Sequence, residues 1–140
     1  MIKFLRLASV YVRDTERAAD FYVHRLGFER RHDVEFGPNL HWVEVAPPGA
    51  RSGLTLISPV VAGQHEELIG RPTGLVFSCD DVRSTWADLK AEGVHFPEDV
   101  TGAPWGIWHA RLSDPDGNTF LLDQEQRPGN RHPGAGDQRR

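Results

Sequence analysis
Apolar and polar positions change their period twice along this chain, and the two changes are alike. From Val10 to Phe28, VYVRDTERAADFYVHRLGF passes from a short β-rich run into a helical one in which Ala18, Phe21, Tyr22 and Leu26 share a face. From Phe77 to Phe96, FSCDDVRSTWADLKAEGVHF repeats the layout with Val82, Trp86, Leu89 and Val94. Asp14 and Asp81 stand where a side-chain oxygen caps a helix start, and Gly27 and Gly93 where a left-handed residue ends one. The Asp pair is offset by 67 residues and the Gly pair by 66, so two modules of this length account for nearly all of residues 1–125.

After each helix the period shortens to two. Strands are expected at about 28–36, 40–46 and 53–58, divided by GPN and PPGARSG, and again at about 94–100, 107–113 and 118–123, divided by TGAPWG and DPDGN. With the β-rich run before each helix, the pattern predicts an α+β fold of two βαβββ modules, 1–58 and 73–125. The stretch 59–72, with Pro59, Gly63, Gly70 and Pro72, reads as the linker. Residues 126–140, rich in Pro, Gly and Arg and without apolar periodicity, read as a disordered tail.

Composition narrows the function classes. A chain of 140 residues, 39% hydrophobic and 26% charged, suits one soluble globular protein. It has no apolar run of membrane-spanning length and no signal-peptide pattern, and Cys79 is its sole cysteine, so a cytoplasmic protein without disulfides is expected. The net charge of −4 divides into −7 over residues 1–125 and +3 over the tail. An acidic globular part argues against nucleic acid as the main partner.

The stretches VRDTERAADFYVHRLGF and SDPDGNTFLLD resemble signatures of the vicinal oxygen chelate superfamily, which holds glyoxalases, ring-cleaving dioxygenases and bleomycin resistance proteins. The resemblance spans about residues 4–123 and implies curved mixed sheets around a cleft. In metal-dependent relatives it also implies a His seven residues before each helix-opening Asp and a Glu in the last strand of each module. Those positions here are Leu7 and Gly74, and Thr55 and Leu121. Their neighbours Ala8, Leu75, Leu54 and Phe120 are equally unsuited to hold a divalent ion. No metal and no cofactor are therefore expected.

Strand alternation turns Ala8, Val10 and Val12 towards the helix, leaving Leu7, Ser9 and Tyr11 for the cleft; likewise Leu54 and Leu56 leave Thr55 and Ile57, and Phe120 and Leu122 leave Leu121. Trp42, Trp105 and Trp108 are candidates for an aromatic platform, whereas Trp86 belongs to a helix. His24, His32, His65, His95 and His132 fall in surface contexts; His41 and His109 each adjoin a Trp, but His41 and Glu44 point to opposite faces of their strand. Tyr11, Glu44 and His109 are candidates to orient a ligand, and no catalytic residue is assigned. The expected function is metal-independent binding and sequestration of a small aromatic or largely apolar metabolite, as in antibiotic resistance, by a homodimer. The alternatives are a metal-independent isomerase or lyase in the same cleft, or a glyoxalase- or dioxygenase-like enzyme with non-standard metal ligands.

Overall fold
The computed structural model describes residues 1–37, 40–59, 66–102 and 107–125, with backbone alone at 33–34, 36–37 and 40–41. The tail, Trp105, His65, His132, the centre of the GPN turn and most of the TGAPWG turn lie outside the described residues. In chain order the elements are β1 (Leu7–Tyr11), α1 (Thr15–Asp20), β2 (Glu29–Gly37), β3 (Leu40–Ala46), β4 (Gly53–Ile57), β5 (Pro72–Cys79), α2 (Val82–Ala91), β6 (His95–Gly102), β7 (Trp108–Ser113) and β8 (Thr119–Gln124). They make two four-stranded sheets of the same order, β1-β4-β3-β2 and β5-β8-β7-β6. Two βαβββ modules and an α+β fold are thus present. Among the described residues, no helix is long and apolar enough to cross a membrane.

Both helices start as the sequence predicts. The Asp14 carboxylate accepts from the backbone N–H of Glu16 and Arg17, and that of Asp81 from Arg83 and Ser84. At the end of α2, Gly93 has a φ of 92° while its N–H donates to Lys90 O and that of Val94 to Leu89 O, the paired bonds that satisfy a helix's last carbonyls. The first helix departs from the expected α geometry: after Asp20 it widens into a π-helical turn, Phe21–Arg25, in which Leu26 N–H reaches Phe21 O. Tyr22 nevertheless stays fully buried.

The chain divides into two compact units, one comprising Met1–Thr73 with Asp114–Asn118, the other Gly74–Ser113 with the chain from Thr119. In the first unit, α1 packs on β3 and β4, and the buried layer holds Val10, Ala18, Ala19, Tyr22, Val43, Val45, Leu54 and Leu56. In the second, α2 lies on β6, β7 and β8 above Phe96, Ala110, Leu112, Phe120 and Leu122, with Phe77 stacked on Phe120 at 4.6 Å between ring centroids. Strand β2 carries a bulge: Arg30 pairs with Val45 and His32 with Glu44, which leaves Arg31 as the extra residue. Its guanidinium donates to Pro47 O and Ala50 O in the β3–β4 turn.

The DPDGN turn, Asp114–Asn118, belongs to the first unit through a polar cluster. Asp114, 4% exposed, accepts from Tyr22 Oη at 2.8 Å, from Asn118 Nδ2 and from the backbone N–H of Asp116 and Asn118. Asn118 Nδ2 also donates to Tyr11 O, and its Oδ1 accepts from Gly70 N–H. Burial, and after it the negative charge of Asp114, pushes the Tyr22 phenol well above its ordinary value.

Tyr22→Phe is expected to lower stability by about 1–3 kcal/mol, because a buried carboxylate loses a donor. An unfolded tyrosine ionises near pH 10 while the folded one stays protonated. The contribution is therefore whole below about pH 10 and is lost as pH rises towards the folded-state value. Urea unfolding from pH 7 to 11 checks both points: the variant should have a lower midpoint at neutral pH and a flatter alkaline decline.

Candidate functional site
In the first unit, strand pairing carries one row of side chains across the sheet face opposite α1. Ser9 pairs with Thr55, Thr55 with Glu44, and Glu44 with His32. Directly paired residues project to the same face, so this row is polar from edge to edge. Apolar groups flank it: Tyr11 and its partner Ile57 lie one pleat away along β1 and β4, with Trp42 one pleat away on β3. Leu7 lies on the other side of the row. Gly53 pairs with Leu7, and a Cβ there would stand 2.8 Å from Val45 O and 2.9 Å from Ala46 Cβ, so the face is low at this point by necessity.

Glu44 is 6% exposed, and two donors keep its carboxylate in place. Arg6 Nη1 donates to Oε1 at 3.1 Å and Trp42 Nε1 to Oε2 at 2.6 Å. Arg6 arrives on the segment before β1, anchored by Gly53 N–H to Arg6 O and by Ser52 Oγ to Leu5 O. Thr55 is 3% exposed, and its Oγ1 has no hydrogen-bond partner among the described residues.

In the second unit, alternation along β7 separates neighbours. Trp108, Ala110 and Leu112 face α2, where the Arg83 guanidinium lies 4.8 Å from the Trp108 ring centroid and Gly102 lies against the ring. His109 and Arg111 face the other way, paired with Asp123 and Leu121 respectively. His109 Nδ1 is 3.2 Å from Ile107 O, and Asp123 accepts from Ser78 Oγ. Cys79 is half-buried, its Sγ donates to Asp123 O, and burial raises its thiol, which favours the unreactive protonated form.

Of the residues expected to line a site, the structure gathers Leu7, Ser9, Tyr11, Trp42, Glu44, Thr55 and Ile57 on one face of the first unit. It places His109 and Leu121 together on one face of the second. Trp108 stands on the opposite face of that sheet, and the His41 side chain is not described. Arg6 and His32 join the first face without having been expected there. Strict alternation would put His32 beside Arg30 on the α1 side, and the bulge at Arg31 inverts that phase. Arg6 meets a carboxylate 38 residues away in sequence, which no local pattern signals.

The donor set at the superfamily's metal positions does not fit a divalent ion. Leu7 and Leu121 have no donor atom, and Thr55 offers a neutral hydroxyl. Gly74 has a φ of 74°, a conformation in which a His side chain would be strained. Among the described residues, no group of three or more His, Cys, Asp or Glu is placed to hold a metal.

Residues 3–122 match the family described as Glyoxalase/Bleomycin resistance protein/Dioxygenase superfamily. The uncharacterized protein YetH of Bacillus subtilis is 33% identical over 124 residues, covering 89% of this chain and 100% of that protein. A solved structure of a member of this superfamily from Sphaerobacter thermophilus is 36% identical, with a TM-score of 0.78 over 89% of this chain and 98% of that one. TnmS3, an antibiotic binding protein from Streptomyces sp. CB03234, is also 36% identical, with a TM-score of 0.74 and the same coverage. Matched over most of its length in both sequence and architecture, this chain belongs to the Glyoxalase/Bleomycin resistance protein/Dioxygenase superfamily.

Proposed function
We propose that the protein binds and sequesters a small aromatic or largely apolar metabolite, such as an antibiotic, without a metal or cofactor. The observation that carries this reading is the sheet face of the first unit, where Tyr11, Ile57 and Trp42 flank the row of Ser9, Thr55 and Glu44. An apolar surface with a few fixed polar groups is what retains and orients a small molecule. His109 and Leu121 lie together on one face of the sheet of the second unit. Similarity to TnmS3 supports an antibiotic as the ligand class. The protein acts as a cytoplasmic homodimer, closed two-fold pairing being the commonest soluble assembly.

Calorimetry, mass spectrometry, elemental analysis and sedimentation test this reading. Calorimetric titration with planar aromatic compounds should detect binding, and mass spectrometry should recover the compound unchanged; a new product would point to an enzyme. About 100 Å² of indole surface removed from water contributes on the order of 2.5 kcal/mol before ordering costs. Trp42→Ala should therefore weaken binding about tenfold or more, whereas Trp108→Ala, altering a ring that lies against Arg83 and Gly102, should change it less. Equal effects would sink the assignment of the face.

Elemental analysis of protein purified without chelator should find no stoichiometric transition metal, since the donor positions do not fit one. A tightly held metal whose removal abolishes binding would contradict this. Sedimentation velocity at micromolar concentration should show a dimer; a monomer throughout would remove that part of the proposal.

A further inference from the structure
A buried hydroxyl without a partner lowers stability, and a valine of the same shape would not carry that penalty. Thr55 is in this position in the middle of the sheet, at 3% exposure, between Ser9 on one side and Glu44 on the other. Its partner in register on β3 is Glu44, whose two carboxylate oxygens already receive Arg6 and Trp42. Directly paired side chains have Cβ atoms roughly 4.5–5.5 Å apart, so one oxygen atom seated above the pair comes within hydrogen-bond reach of both.

The chemistry of the two groups selects what that atom is. An ionised carboxylate only accepts, so the incoming group must donate to Glu44. A carbonyl or ether oxygen cannot donate. An ammonium can, but Arg6 already supplies the counter-charge to Glu44, so a second cation is not needed there. A neutral hydroxyl answers both partners, since it donates to Glu44 and accepts from Thr55. With the Trp42 indole on the same face and Tyr11 and Ile57 beside it, the hydroxyl is one borne by an aromatic ring.

We infer that Thr55 and Glu44 together form a subsite for a phenolic hydroxyl of the ligand, an inference that rests on the binding function proposed above. Glu44 then selects a ligand group that donates, Thr55 supplies the bond that the same oxygen accepts, and the burial of the Thr55 hydroxyl in the ligand-free protein is the stability cost of that role.

The test compares 2-naphthol with 2-methoxynaphthalene, which keeps the ring and the oxygen but cannot donate, using Thr55→Val and Thr55→Ser. In the unaltered protein 2-naphthol should bind about tenfold more tightly by calorimetry, because sites built around a hydrogen bond reject analogues that lack it. Thr55→Val should weaken both compounds about tenfold, since either oxygen accepts from Thr55, while the preference for 2-naphthol, set by donation to Glu44, persists; Thr55→Ser should keep the binding of the unaltered protein. Without any ligand, Thr55→Val should raise Tm by roughly 2–8 °C.

Equal binding of the two compounds by the unaltered protein, or a fall in Tm in Thr55→Val, overturns the hydroxyl subsite and leaves the binding function standing. If neither compound binds up to its solubility limit, the binding function and the subsite fall together.

Discussion
A carboxylate can stay in a protein interior only when donors surround it, and Asp114 meets that condition with groups drawn from distant parts of the first unit. Two come from the backbone of its own turn, which fixes the turn's shape. A third is the phenol of Tyr22, which must therefore point into the layer between α1 and its sheet. The last is Asn118, whose amide is shared with Tyr11 O and whose carbonyl holds Gly70 N–H. The end of β1 is thereby fixed from the side, and with it the position of Tyr11 on the candidate face. Apolar burial supplies most of the driving force for such a layer but has no direction; these hydrogen bonds determine which way the chain leaves it.

The parts of this architecture that were legible in the sequence are those governed by local chemistry. Asp14 and Asp81 cap helices because an oxygen at that position meets free N–H groups whatever the tertiary context. The alternation of LTLI in β4 announced which side chains would meet α1, and Leu54 and Leu56 are buried there. Trp108 obeys the same rule: WHARLS alternates plainly, Ala110 and Leu112 mark its buried side, and the ring at Trp108 shares their parity.

What was not legible depends on pairings distant in sequence. The π-helical turn at Phe21–Arg25 has no composition of its own, and it lets Tyr22 stay buried while the backbone is wider there than an α-helix. Arg6 precedes any regular element, so its role as partner of Glu44 exists only once β3 and β4 are assembled beside the first segment. Glu44 itself was recognisable as a candidate, but not that its oxygens would be shared between a guanidinium and an indole.

The bulge at Arg31 has a consequence beyond the shape of β2. Because one extra residue inverts which side chains point outward, the remainder of that strand is addressed by length as well as by identity. Loss of a single residue here would exchange His32 for its neighbour opposite Glu44 while the pairing of β3 with β4 stayed as it is. Related chains can thus present different chemistry along that edge through a one-residue insertion or deletion, and an alignment that scores substitutions alone would not register the change.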